Sequence, residues 1–188
     1  MCCNFEVRHR HLIAMAYGCL PVKARLYDTK EKSMHHIRIR ACALIIENDS
    51  ILLVEFNDEN GVHYNLPAGG AEPGESIMEA VKREAREEAN IEVEVGPLAF
   101  VYEYAPHLNA YNHGTGHSLS LMFDCRISSG CPALPAKPDH NQTNVKWVQI
   151  DKLDDIVLYP NIKDHIKDYV KNRRNIEIIE EYKLKQDK

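Results

Sequence analysis

The chain predicts an α/β fold in which a mixed β-sheet lies between helices. Three features predict it: several short segments of alternating apolar and polar residues, one long amphipathic helix among them, and a second amphipathic helix after the last strand. With 188 residues, 44% of them hydrophobic and 27% charged, there is enough apolar material for one ordinary domain with a core. That domain is expected over residues 34–175. Residues 1–33 hold three of the six cysteines and show no clear period. They are expected to be a poorly ordered N-terminal extension upstream of the natural start, with a dimer-building arm as the rival reading. Residues 176–188 are expected to form a frayed polar tail.

The elements follow in order. Ile37 to Ile46 and Ile51 to Phe56 read as a hairpin, with Glu47-Asn48-Asp49-Ser50 supplying the turn. His63 to Leu66 is a short strand, and the segment after it is a glycine-rich loop. A helix begins near Ser76, with Glu79 placed for a capping box, and ends near Asn90, which tolerates the left-handed conformation. Ile91 to Tyr104 alternates well enough for one or two strands, broken at Gly96-Pro97. Ala105 to Gly116 is a loop, Ser118 to Ile127 a strand, and Ser128 to Thr143 a loop with three prolines. Val145 to Ile150 is a strand, and Asp151 to Ile156 a short helical turn. Asn161 to Asn172 is a helix with Ile162, Ile166, Tyr169 and Val170 inward and Pro160 in its first turn.

Charge and cysteine usage exclude several classes. A formal net charge of -5 disfavours generic binding to a nucleic-acid polymer or a membrane surface, and no run reaches the length of a membrane span. No Cys-x-x-Cys pair or zinc-type Cys/His spacing occurs. Cys42 sits in an apolar strand pattern and reads as a small buried hydrophobe. Leu12 to Leu20 follows Arg8 and Arg10 but is short and interrupted for a secretory signal. Reduced thiols and a cytoplasmic location are expected.

The chemistry concentrates in Gly69 to Ile91, GGAEPGESIMEAVKREAREEANI. Residues three and four apart are neighbours on a helix, so Glu84 lies beside Glu87 and Glu88. Ile77, Val81 and Ala85 form the apolar stripe, and at about 100° per residue Glu84 and Glu88 fall at its edge. Such like charges, partly desolvated, call for a positive partner. A hard divalent cation with oxygen ligands, Mg²⁺ or Mn²⁺, fits. The alternative is a solvated acidic face with Lys82, Arg83 and Arg86 as counter-charges.

The order of Gly69, Glu75, Arg83-Glu84, Glu87-Glu88 and Ile91 resembles the Nudix box, Gly-x5-Glu-x7-Arg-Glu-U-x-Glu-Glu-x-Gly-U with U aliphatic. Every charged position matches. Asn90 stands for the last glycine, and Ala85 is smaller than usual. The resemblance implies the α/β/α sandwich of that family, hydrolysis of a nucleoside diphosphate linked to another moiety, and Mg²⁺ or Mn²⁺ as cofactor. It implies that Glu87 and Glu88 bind metal and that Glu84 is a further ligand or the base. The carbonyl of Ala68 is implied as another ligand, and Glu75 and Arg83 as a pair that orients helix against loop. Family members often add an acidic residue from a later loop, for which Asp139 and Glu103 are candidates. Gly69 and Gly70 would let the backbone approach the ligand.

Outside the box, Arg38 and Arg40 share one face of the first strand and either meet substrate phosphate or solvate a sheet edge. Tyr64, Tyr102, Tyr104 and Tyr111 either stack on a base or ribose or pack in the core. His63, His113, His117 and His140 either touch phosphate or act as acid/base groups, or else lie on loop surfaces or serve structural roles. The Leu66-Pro67-Ala68-Gly69-Gly70 entry and Tyr159-Pro160 look similar to ADP-ribose and nucleotide-sugar pyrophosphatases, which is the favoured substrate class. A nucleoside triphosphate pyrophosphohydrolase of the pool-sanitising type is the alternative. A non-catalytic, nucleotide-sensing domain is the alternative from another class, and such domains commonly lose box carboxylates. The expected partner is a small-molecule nucleotide, with a homodimer left open.

Overall fold

The computed structural model describes residues 36–173 and 176–185; the expectation for residues 1–33 lies outside the described residues. β1 (Arg38–Glu47) and β2 (Ser50–Asp58) form the expected hairpin. Asn48 and Asp49, at φ 47° and 56°, make its turn. Positive φ at both central positions matches the right-handed twist of the strands, and Asn and Asp accept it more readily than other side chains. The two strands pair only at Glu47↔Ser50 and Ile46↔Ile51. Beyond that they part, and each takes other neighbours.

The remaining elements are β3 (Gly61–Asn65), β4 (Ala68–Gly70), α1 (Ile77–Ala89), β5 (Ile91–Tyr104), β6 (Ser118–Gly130), β7 (Gln142–Gln149), α2 (Lys163–Asn172) and β8 (Glu177–Glu180). Parallel pairing of β1 with β6 runs from Arg38↔Ser118 to Ile45↔Cys125. On its other side β1 pairs antiparallel with β4. β5 lies antiparallel to β6, and β8 parallel to β5. β2 is flanked by β3 and β7, both antiparallel. The sheet is therefore mixed, and the β1–β2 turn is where its two halves join.

Helices cover both faces, and the alternation along β1 shows why. Ala41, Ala43 and Ile45 pack with Ala80, Val81, Ala85 and Ala89 of α1, whereas Cys42 and Leu44 pack with Ile166 and Tyr169 of α2 and with Ile162 just before it. Side chains on a strand point alternately to opposite faces. Alanines on both sides of the α1 contact let the helix lie close to the sheet. None of the helices among the described residues is long and apolar enough to cross a membrane.

Several expectations change. The segment expected as a frayed tail over 176–188 instead adds β8 to the free edge of β5, and Ile179 is buried there. The glycine-rich entry to the box holds a short strand, because Ala68, Gly69 and Gly70 pair with Cys42, Ala41 and Arg40. Gly96-Pro97 does not end β5. It makes an irregularity between Val95 and Leu98 within one strand. A Cβ at Gly96 would stand 2.6 Å from the Asp124 carbonyl oxygen, so the close approach requires glycine there. α2 begins at Lys163, leaving Pro160 ahead of its first turn.

The ends of α1 are those the residues predict. Ser76 accepts from the Glu79 N–H and Glu79 accepts from the Ser76 N–H, a complete capping box, and Asn90 closes the helix at φ 58° and ψ 37°. The Asn90 side chain is exposed, so its contribution is conformational. Asn90→Gly should leave stability within about 0.5 kcal/mol of the parent, whereas Asn90→Val should lose about 1–2 kcal/mol. Urea unfolding measures both; equal midpoints would contradict this account of the cap.

Candidate active site: a carboxylate cleft beside an aromatic cavity

Loop, helix and strand meet at the start of α1. Arg83 donates to Glu75 through Nε at 3.0 Å and Nη2 at 2.7 Å. Its Nη1 donates to Glu84 at 2.7 Å and Glu87 at 2.9 Å, and Nη2 also reaches the Gly70 carbonyl at 2.9 Å. One guanidinium thus joins the box loop to three carboxylates of the box. Those carboxylates raise the Arg83 pKa, with the Glu75 hydrogen bonds the largest cause. The Arg83 hydrogen bond in turn is the chief reason the Glu75 carboxyl is held below its ordinary value.

Glu84 and Glu88 are each 7% exposed, which is low enough for desolvation to dominate their titration. Burial raises Glu84, against the opposing pull of Arg83. Burial pushes Glu88 up to about 8, opposed by the Ala68 N–H and reinforced by Glu84 and Asp139. The Ala68 N–H donates to Glu88 Oε2 at 2.8 Å. Glu87 is largely exposed.

Glu84, Glu87, Glu88 and Asp139 line one cleft of about 490 Å³, together with Arg38, Arg40, Ala68, Gly69 and Gly70. Of the acidic candidates, Asp139 therefore joins the box carboxylates. Glu103 lines neither this cleft nor its neighbour and pairs with His117 at 2.8 Å. Tyr64 is likewise elsewhere. Its hydroxyl donates to Glu55 at 2.6 Å, in a cluster with Lys146 and Thr143, and its ring packs against the α2-side core. The edge-solvating reading does not hold for Arg40, where β1 lies between β4 and β6; Arg38, opposite Ser118 of β6, lines the same cleft. Arg40 Nη2 donates to the Ala68 carbonyl at 3.0 Å. The two glycines serve side chains of the chain itself. A Cβ at Gly69 would fall 2.0 Å from Glu84 Oε1, and one at Gly70 would be 3.0 Å from the Arg38 guanidinium.

The donor set fits a hard divalent cation: it is all oxygen, rich in carboxylate, and its buried members carry raised pKa values that a cation would lower. In the arrangement described, Arg83 and Arg40 hold part of that set. Among the described residues, no three His, Cys, Asp or Glu side chains are already gathered tightly enough to bind a metal ion.

A second cavity, of about 480 Å³, adjoins the cleft and shares Arg38, Arg40, Asn65, Leu66 and Ala68 with it. Tyr102, Tyr104, His113 and Tyr159 line it. His113 contacts the rings of both Tyr104 and Tyr159. Two site residues escaped the sequence reading. Gln142 Nε2 donates to the Glu88 carbonyl at 2.7 Å, while its Oε1 accepts from the Asp139 N–H at 3.1 Å, tying the Asp139 loop to α1. Asn65 lies on the shared wall. Nothing local in the sequence marks either one.

The raised pKa of Glu88 has a thermodynamic sign. Between the unfolded value of 4.5 and the folded value of about 8, the native state binds more protons than the unfolded one. Stability from this group is complete below 4.5 and is lost as pH rises through about 8. Thermal unfolding of cation-free protein should therefore show Tm falling from pH 5 to pH 8.5, and Glu88→Gln should flatten that slope. A slope unchanged in the variant would rule out Glu88 as its source.

The NUDIX domain model matches residues 36–170. The nucleoside triphosphatase NudI of Enterobacter sp. (strain 638) is 35% identical over 97 residues, covering 47% of this chain and 67% of that protein. The 8-oxo-dGDP phosphatase NUDT18 of Homo sapiens is 38% identical over 76 residues, covering 37% of this chain and 24% of that one. Among solved structures, a NUDIX hydrolase from Nitrosomonas europaea matches with a TM-score of 0.61 at 29% identity, over 74% of this chain and 92% of that chain. An ADP-ribose pyrophosphatase from Streptococcus suis 89-1591 matches with a TM-score of 0.56 at 21% identity, over 77% and 99%, which is a likeness of fold. The matched region takes in β1 to β7, both cavities and every box carboxylate, and the chain belongs to the NUDIX family of hydrolases that act on phosphoric anhydrides.

Proposed function

We propose that this chain is a divalent-cation-dependent pyrophosphohydrolase of small nucleotides, with nucleoside tri- or diphosphates as its first substrates. The observation that carries the reading is the cleft itself, where Glu84, Glu87, Glu88 and Asp139 face Arg38 and Arg40 beside an aromatic-walled cavity. The choice of nucleoside tri- or diphosphates leans on the activities for which the relatives at 35% and 38% identity are named.

Each group has a role in this reading. Glu84, Glu87 and Glu88, with Asp139, hold Mg²⁺ or Mn²⁺, and the Ala68 carbonyl is a further candidate ligand. Such a cation, when bound, neutralises phosphate charge and lowers the pKa of water. Arg38 and Arg40 grip phosphate oxygens through charge-assisted hydrogen bonds. Glu84, desolvated and with a raised pKa, is a stronger base than an exposed carboxylate and is the candidate acceptor of a proton from water. Arg83 and Glu75 act on the geometry of these carboxylates.

A second reading, ADP-ribose or a nucleotide sugar, has its own support. Leu66 and Ala68 line both cavities and Tyr159-Pro160 lines the second, so both stretches behind that expectation border the site. The sensing alternative is disfavoured because the box carboxylates are all present.

Hydrolysis of nucleoside tri- and diphosphates, their oxidised forms, ADP-ribose and nucleotide sugars, with and without Mg²⁺ or Mn²⁺, tests these readings. Nucleoside tri- or diphosphates should turn over only with cation. Glu87→Gln and Glu88→Gln should each lower the rate by roughly 10²-fold or more, with folding retained by circular dichroism. Preference for ADP-ribose would select the second reading. Cation-dependent nucleotide binding without turnover of any compound would overturn the enzyme reading in favour of sensing.

A further inference from the structure

Asn65 ends β3 in register with Val54 of β2, on the wall common to the carboxylate cleft and the aromatic cavity. Its Oδ1 is buried and has no hydrogen-bond partner among the described residues. Buried side-chain oxygens are nearly always paired, and one left unpaired calls for a physical explanation. The other residues on that shared wall are Arg38, Arg40, Leu66 and Ala68. The arginines carry full charge, and Leu66 and Ala68 have apolar side chains. Asn65 is thus the neutral hydrogen-bonding side chain at the junction.

The ligand chemistry at this junction follows from what lies on either side. Carboxylates and guanidinium groups on one side suit cation-bound phosphates. Tyrosine and histidine rings on the other suit a stacked base. In a nucleotide, the piece covalently placed between phosphate and base is the sugar. A sugar hydroxyl both donates and accepts, and an amide offers both an acceptor and donors. The terminal torsion of an asparagine is broad and roughly two-fold, so its carbonyl can turn to the wall at little cost. We propose that Asn65 is a substrate-binding residue whose amide pairs with a hydroxyl of the nucleotide sugar at the junction of the two cavities. The inference rests on the nucleotide reading above and adds to it the sugar as a recognised part of the substrate.

The test is a cycle between side chain and sugar. Binding of α,β-methylene nucleoside triphosphates with ribose, 2′-deoxyribose and 3′-deoxyribose is measured by calorimetry in the presence of Mg²⁺, for the parent, Asn65→Ala and Asn65→Leu. Affinity for the ribose form should fall roughly 3–10-fold in the variants. Affinity for one of the two deoxy forms should stay unchanged. Because Oδ1 has no partner among the described residues, Asn65→Leu should keep a Tm at or above that of the parent. Equal losses for all three sugars, or no loss at all, would overturn the assignment and leave Oδ1 to a water molecule or to packing. A clear drop in Tm of both variants would overturn it in favour of a structural role. Absence of binding by every analogue to the parent would overturn the nucleotide reading as well, so the two failures are distinguishable.

Discussion

Arg83 is the interaction on which the arrangement of the site depends. It sits where the box loop, the first turns of α1 and the end of β4 converge, and its three nitrogens reach three carboxylates and one carbonyl. Burying one carboxylate without a partner is expensive, and here Glu84 and Glu88 are both buried on one helix face. Arg83 offsets the first through a direct hydrogen bond, and the Ala68 N–H offsets the second. Gly69 completes the accommodation, since any side chain there would occupy the space of the Glu84 carboxylate. The cluster is therefore crowded with carboxylates that one arginine and one backbone N–H offset only in part, which is the condition that favours a bound cation.

Charge is distributed unevenly enough that the overall balance conceals the local one. The chain is acidic as a whole, yet Arg38, Arg40 and Arg83 cluster around the carboxylates. The adjoining cavity shares two of those arginines and is otherwise walled mainly by tyrosine, histidine and small polar side chains. A ligand anionic at one end and flat at the other would match that division. A nucleotide has that form.

The sequence made α1 legible in detail because its signals are local. The spacing of Ile77, Val81 and Ala85, the capping box of Ser76 with Glu79, and Asn90 at a left-handed end all act within a few residues. The β1–β2 turn was legible for the same reason. β4 and β8 were not, because a three-residue or four-residue strand is defined by the edge it finds and not by its own pattern. β8 depends on the free side of β5, and β4 on the side of β1 that β2 leaves. The site divides similarly. Glu75, Arg83, Glu84, Glu87 and Glu88 announce themselves by spacing, whereas Gln142 acts on a helix 54 positions away. Tyr64 and Glu103 looked available because their partners, Glu55 and His117, are visible only in three dimensions.

The parallel pairing of β1 with β6 also constrains how the protein comes to exist. Arg38 and Arg40 lie opposite Ser118 and Ser120, about eighty residues later in the chain, so the aromatic cavity, which all four line, cannot be assembled from local contacts. Pairings of such long sequence separation incur the entropy of loop closure before they return any stabilisation, and they slow folding. The β1–β2 hairpin and α1, each built from neighbours in sequence, can form early. The ligand-binding surface must wait for β6 to arrive and for Gln142 to dock the Asp139 loop. Competence to bind is thus among the last properties this chain acquires as it folds.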